Sequence, residues 1–217
     1  IMVEDIYYRG YIIFNASEDK LDVINYLTLE EYLYGVLPKE LGPSFHMEAL
    51  KAQAIASRTY AIRNLNKHIW EGYNLCDTVH CQVYGGFDVE NSITNEAVDE
   101  TGGMILTYNG YPIDAVFHSN SGGHTDDAKE VWSTDVPYLV GRVDEFSNSF
   151  SNASWELDFT SEEISYKLNN SGVYVGKVID LIILDTSPAG RVNEHLIKGT
   201  DGGEIISGSK FRSIIGP

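Results

Sequence analysis

Cysteine is nearly absent from this chain. There are two among 217 residues, Cys76 and Cys81, with four residues between them. So few leave the redox compartment open: a Cys76–Cys81 disulfide suits an oxidising space, whereas thiolates on a metal say nothing about export. Basic residues are scarce as well, 15 Lys and Arg against 32 Asp and Glu, for a net charge of −17. That balance excludes nucleic acid as a partner, because a phosphate backbone needs a basic patch, and excludes simple adsorption to an anionic membrane. Its plain role is a solubilising acidic surface. No apolar run approaches the ~20 residues that span a bilayer. The chain opens Ile1-Met2-Val3-Glu4 rather than with a basic and apolar leader. No Gly-x-Ser-x-Gly elbow supports a serine hydrolase, and there is no internal repeat or low-complexity segment. What is present is ordinary for a folded protein, 43% hydrophobic and 22% charged residues. The length suffices to bury the core of one domain or of two closely joined subdomains.

The pattern of elements predicts an α+β fold: a long buried helix with antiparallel hairpins, and a more β-rich C-terminal part. Residues 11–14 and 21–26 read as strands around a polar turn at 15–20. Thr28, with Glu31 three residues on, forms a capping box. The helix it opens carries Leu29, Tyr32, Leu33, Val36 and Leu37 on one apolar stripe. Pro38 is expected to end that helix, leaving 39–43 as a turn. An alanine-rich helix is expected from Ser44 or Phe45 to Asn66, burying Met47, Leu50, Ala54, Ala61 and Leu65. Residues 67–90 are irregular, and 91–101 suggest a short helix stopped by Gly102-Gly103. Strands at 104–108 and 111–118 flank Asn109-Gly110, a strong hairpin signal. Residues 126–150 read as loop, anchored by Trp132 and Tyr138. A strand at 155–159, a helix at 161–170 closed by Gly172, a buried strand at 178–184, further hairpin pieces and a short final helix complete the chain. The division is expected near residue 150, with 1–150 as the core unit and 151–217 packed on it.

Four constellations carry chemistry. Glu40 sits in a Pro-flanked segment among Leu37, Leu41 and Phe45, where an apolar setting raises a carboxyl pKa and suits a general acid. A glutamate at such a position is also commonly just a solvated loop residue. Lys51, Gln53, Arg58 and Tyr60 insert polar groups into an otherwise buried helix, where they must satisfy one another or a ligand. The spacing His68-x7-Cys76-x3-His80-Cys81 offers four ligands for Zn²⁺. Neighbours His80 and Cys81 can both bind only if the loop turns between them. A disulfide or two free buried thiols are the alternatives, and four protein ligands would make the metal structural rather than catalytic. Finally, Phe117-His118-Ser119-Asn120-Ser121-Gly122-Gly123 places a histidine, small hydroxyls and two glycines where a ligand can approach, or where a capped turn can form.

Several of these stretches resemble one family. Leu29-Glu30-Glu31-Tyr32-Leu33-Tyr34-Gly35-Val36-Leu37-Pro38-Lys39-Glu40-Leu41 is similar to the opening motif of the stage II sporulation protein D family. Glu48-Ala49-Leu50-Lys51-Ala52-Gln53-Ala54-Ile55-Ala56-Ser57-Arg58-Thr59-Tyr60-Ala61 resembles its helix. Cys76-Asp77-Thr78-Val79-His80-Cys81-Gln82-Val83-Tyr84 and His118-Ser119-Asn120-Ser121-Gly122-Gly123-His124-Thr125 resemble two further blocks, and Gly190-Arg191-Val192 and Lys210-Phe211-Arg212 its last part. The resemblance implies a lytic transglycosylase that cuts the β-1,4 bond between N-acetylmuramic acid and N-acetylglucosamine in peptidoglycan, leaving 1,6-anhydro ends. It implies Glu40 as catalytic acid and Lys51, Gln53, Arg58 and Tyr60 as lining or bracing the glycan groove. Gln82 and Tyr84 would contact sugar, with His118, Ser119, Ser121, Gly122 and Gly123 as the opposite wall. A structural zinc on Cys76, Cys81, His80 and His68 would tie the loop bearing Gln82 to the long helix. The resemblance further implies engulfment during sporulation, work outside the cytoplasm behind an N-terminal membrane anchor not included here, and peptide-free glycan as substrate. The implied partners are an amidase, stage II sporulation protein P, and a membrane protein, stage II sporulation protein M. The rival readings are a non-catalytic enhancer of a cell-wall amidase, from a branch sharing this domain, and a zinc hydrolase with an open metal site.

Overall fold

The chain begins by pairing with itself over short distances. In the computed structural model, which describes residues 1–16, 20–149 and 154–216, strands β1 (Met2–Val3) and β2 (Ile6–Tyr7) form a tight hairpin. Its turn residues Glu4 and Asp5 both take left-handed backbone, as a two-residue hairpin turn requires. Strands β3 (Tyr11–Ala16) and β4 (Leu21–Tyr26) pair antiparallel in continuous register from Tyr11↔Tyr26 to Ala16↔Leu21. The polar turn expected at 15–20 has its centre, 17–19, outside the described residues.

Helix α1 (Leu29–Glu40) opens on the expected capping box: the Glu31 amide donates to Thr28 Oγ1 and the Thr28 amide to Glu31 Oε2. Pro38 does not end it. A proline this near the C-terminus removes only its own bond to the preceding turn, and the Leu41 amide still closes on Leu37 O at 2.8 Å. Lys39 and Glu40 are therefore helical rather than part of a turn. Helix α2 (Met47–Arg63) is shorter than expected at both ends. His46 caps it, its Nδ1 accepting from the Glu48 amide, a role that the Ser/Thr/Asp/Asn rule for caps does not anticipate. Of its anticipated stripe, Leu50, Ala54 and Ala61 are buried and Met47 is half-buried, but Leu65 lies beyond the helix and is exposed. Helix α3 (Ser92–Glu100) packs on both, and Leu33, Leu37, Leu50, Ala54, Ala97 and Val98 form one apolar cluster. The hairpin at Asn109-Gly110 is present, both residues having positive φ, but its strands β5 (Thr107–Tyr108) and β6 (Tyr111–Pro112) are only two residues each. Pro112 has no N–H to extend the ladder.

These elements make one compact unit, Ile1–Phe117; His118–Pro217 make another. Sequence reading draws that division at 150 instead. In the second unit, helix α4 (Ala128–Trp132) was not anticipated, since five residues are too few to show a period. Trp132 is exposed rather than a packing anchor. Residues 155–159 form no strand. Helix α5 (Ser161–Asn170) has a second capping box, Thr160 with Glu163, and Gly172 follows in the left-handed region. Strands β7 (Val178–Thr186), β8 (Val192–Gly199) and β9 (Gly202–Ser207) form an antiparallel meander, and helix α6 (Gly208–Ile215) closes the unit. Leu168, Val173, Val175, Val178, Ile197 and Ile206 are its core. The apolar run of β7 is only partly buried: Val178 is in the core and Leu181 packs against it, but Ile179, Ile183 and Leu184 are exposed. The fold is α+β, with small antiparallel sheets and no parallel crossover among the described residues.

Candidate active site and metal centre

Glu40 is the last residue of α1 and is half-buried. Burial holds its carboxyl above the ordinary carboxylate range, opposed by a hydrogen bond from the Val83 amide; no neighbouring charge among the described residues contributes. Val83 reaches Glu40 because the 82–86 segment is seated on α1. Gly35 makes this possible. A Cβ there would come within 2.8 Å of Tyr84 Cδ2 and nearer still to Cε2, and the Gly85 amide donates to Gly35 O at 3.1 Å. Gly35→Ala is therefore expected to displace Tyr84 and destabilise the protein by about 1–3 kcal/mol, as overpacking does. Urea unfolding checks this, and an unchanged midpoint would show that the ring moves freely.

Tyr84 is half-buried, and its ring is engaged by the protein. The ring stacks on Tyr32 with centroids 5.5 Å apart and lies against Gly35, while its hydroxyl donates to Asn25 Oδ1 at 2.8 Å. Tyr84 is a bracket between the first hairpins, α1 and the ligand-rich loop. Tyr32, expected only as a member of an apolar stripe, is a half-buried polar neighbour of the site. Its hydroxyl donates to Gln82 Oε1 at 3.4 Å, and burial holds its pKa well above the tyrosine norm. Gln82 is 2% exposed, and its Nε2 has no hydrogen-bond partner among the described residues.

The four helix residues diverge. Arg58 is fully buried, with every donor directed at protein, so it braces and does not line a groove. Its guanidinium pairs with Glu30 through Nε (3.0 Å) and Nη2 (2.7 Å), and also reaches Val98 O, Met104 O and Thr101 Oγ1. Lys51 bonds Glu48 at 3.0 Å and also pairs with Glu100. Gln53 Nε2 donates to Ser57 Oγ at 3.1 Å. Tyr60 Oη accepts from Lys67 Nζ at 3.2 Å, and the same ammonium donates to His80 O at 2.6 Å. Lys67 thus links α2 to the ligand loop, a role no motif signalled.

The Cys/His spacing closes into one cluster. His68, Cys76, His80 and Cys81 each offer a donor atom, all within 4.8 Å of one another. Both thiols are free. The loop does turn between the neighbours: the Cys81 amide returns to Thr78 O at 3.0 Å, which brings His80 Nδ1 to 3.7 Å from Cys76 Sγ and 4.0 Å from Cys81 Sγ. His68 Nε2 lies 3.4 Å from Cys81 Sγ. Zn–S and Zn–N bonds imply tetrahedral edges of roughly 3.3–3.8 Å; two of these separations fall in that range and the others are wider, so the four donors form a group that could hold a metal ion after a small contraction. The thiols are inequivalent. Burial opposes ionisation of Cys76, but hydrogen bonds from Thr78 and His80 outweigh it and bring that thiol down to about 6, whereas burial pushes Cys81 up. Cys81→Ser is expected to lower zinc content and melting temperature together, the latter by about 5 °C or more. Metal analysis beside a thermal scan checks both, and an unchanged melting temperature would argue against a structural metal.

In the second unit, His118, Ser119, Asn120, Ser121, Asp144, Phe146 and Ser147 line a cavity of about 140 Å³. Ser121 is buried, its Oγ donating to Asp144 Oδ2 at 2.7 Å. The Gly122 amide bonds Asn120 Oδ1 and the Gly123 amide bonds Ser147 Oγ, so both glycines serve a turn with positive φ. Arg191 pins this loop, donating to Ser121 O at 2.5 Å and to Asp126 Oδ2 at 2.8 Å. His118 and Ser119 remain exposed.

Comparison with known proteins joins these motifs. The model of the SpoIID family, described as Stage II sporulation protein, matches residues 17–108. An uncharacterized protein of Brachyspira hyodysenteriae is 33% identical over 213 residues, 98% of this chain and 56% of that protein. The Stage II sporulation protein D of Bacillus subtilis is 31% identical over 193 residues, 81% of this chain and 56% of that protein. The Amidase enhancer of Bacillus subtilis is 41% identical over 135 residues, 62% of this chain but 18% of that protein. The chain therefore spans little more than half, or less, of these relatives. The matched region contains the Glu40 helix, the α2 motif and the Cys/His loop together, and the chain belongs to the SpoIID family of stage II sporulation proteins.

Proposed function

We propose that this chain is a lytic transglycosylase of peptidoglycan, working outside the cytoplasm in the engulfment stage of sporulation. Glu40 carries the reading: a half-buried carboxyl at the end of α1 that burial holds toward its protonated form. Such a group protonates the leaving glycosidic oxygen. As a carboxylate it then takes the proton from the C6 hydroxyl of N-acetylmuramic acid as that oxygen bonds to C1, which forms the 1,6-anhydro end without water. Two carboxylates at a fixed glycosidase separation are not needed. In the unit that carries Glu40, Lys51, Gln53 and Tyr60 are the candidates for substrate contact, with Gln82 a buried neighbour that holds the loop beside them. Zinc, bound by His68, Cys76, His80 and Cys81, would supply a structural cross-link. Four protein donors fill a tetrahedral shell, which counts against a zinc hydrolase. Peptide-free glycan is the proposed substrate, with the amidase stage II sporulation protein P supplying it and stage II sporulation protein M as membrane partner.

The relative named an amidase enhancer supports a second reading, a glycan-binding module that stimulates an amidase. Mass spectrometry of products from peptide-free glycan strands separates the two. Anhydro ends support the transglycosylase. Water-containing ends indicate a hydrolase, and retained binding without cleavage favours the enhancer.

A further inference from the structure

Glu71 lies outside every motif, on the short 3-10 turn Ile69–Glu71 that follows His68. Its carboxylate engages two groups at once. Oε1 is 2.7 Å from His68 Nδ1, and Oε2 accepts from the Tyr73 hydroxyl at 2.8 Å. The Tyr73 ring stacks on the His68 imidazole, with centroids 4.8 Å apart and planes at 21°. An ionised carboxylate only accepts, so the proton of a neutral His68 belongs on Nδ1. The lone pair then belongs to Nε2, the atom 3.4 Å from Cys81 Sγ.

We infer that Glu71 is the positioning residue of the Cys/His centre: with Tyr73 it selects the tautomer and ring orientation of His68 that make Nε2 a metal donor. This rests on the metal reading given above. An imidazole that binds zinc commonly donates its other N–H to a carboxylate, and removing such a partner weakens metal binding about 10–100-fold. The geometry is directional in the same sense. Glu71 holds the far nitrogen, the stacked Tyr73 holds the plane of the ring, and the near nitrogen is left facing the thiol.

The test uses zinc alone, with wild type, Glu71→Gln and Glu71→Ala compared by competition with a chromophoric chelator. Glu71→Ala is expected to bind zinc about 10–100-fold more weakly. Glu71→Gln, whose amide oxygen can still accept from Nδ1–H, is expected to fall between it and wild type. Nitrogen-15 NMR of the metal-free protein is expected to show His68 protonated on Nδ1 in wild type and to show mixed tautomers in Glu71→Ala. Wild-type affinity in Glu71→Ala, or His68 protonated on Nε2 in wild type, overturns the inference and leaves the metal site standing. An equal loss of melting temperature with and without zinc also overturns it, since an ordinary ion pair would act that way. Wild type that binds no zinc overturns the metal reading itself, and this inference with it.

Discussion

Glu40→Gln is expected to reduce release of anhydro-ended glycan by about 10²–10⁴-fold, the range a positioned general acid–base contributes, while glycan binding and the fold persist. The amide matches the carboxyl in shape and can still accept from the Val83 amide, but it cannot hand over or take a proton. A stability signature should accompany the lost activity. The folded-state pKa of Glu40 is raised by burial, so between the unfolded and folded values the native state holds more proton than the unfolded chain. Any stability linked to this group is present below the unfolded pKa and is lost as pH rises through the folded pKa. Glu40→Gln removes that term, so its unfolding midpoint should fall less than that of wild type as pH rises above the ordinary carboxylate range. Product analysis together with urea unfolding at several pH values tests both halves. Undiminished anhydro products from the variant would dismiss Glu40 as the acid. A variant as pH-sensitive as wild type would mean that other groups set the pH dependence.

Arg58→Ala is expected to destabilise the protein by about 2–5 kcal/mol, the cost of truncating a large buried side chain and stranding the groups it satisfies. The guanidinium is completely shielded and ties three helices. It meets Glu30 in the first turn of α1, stands in the middle of α2, and donates to Val98 O and Thr101 Oγ1 where α3 ends. A cation at that end also suits the helix dipole. Glu30 keeps access to water, its side chain being 36% exposed, so most of the loss should come from stranded carbonyls and the cavity rather than from an abandoned carboxylate. Arg58→Lys should recover only part of it, because an ammonium cannot make the paired contact with Glu30 and reach Met104 O together. Denaturant midpoints settle the matter: a shift worth less than about 1 kcal/mol would mean that the buried network is dispensable. Weaker activity at unchanged stability would return Arg58 to the substrate groove.

The expectation for Arg58 shows where sequence reasoning stops. Its place on a helix is legible, but a polar residue among alanines reads equally as groove lining or as buried brace. Only the positions of Glu30 and the end of α3, far away along the chain, choose between them. That the Tyr84 ring packs on Gly35 and Tyr32 is likewise visible only in the folded chain.

Local rules, by contrast, were legible in the sequence itself. Both capping boxes, at Thr28 and Thr160, the Asn109-Gly110 turn and the left-handed Gly172 depend on residues within one turn of each other, so the physics is contained in a few neighbouring letters. The Cys/His spacing likewise announced a candidate metal centre. What the sequence alone determined is therefore the α+β character, the acidic surface, the two helices carrying the motifs and the identity of the candidate acid and ligands. Tertiary structure decided the rest: that Pro38 leaves Glu40 on the helix, that β7 lies at a sheet edge, that Gln82 is buried beside Tyr32, and that Glu71 and Tyr73 grip His68. Each depends on burial or on a contact between segments brought together by packing, which no local pattern of residues encodes.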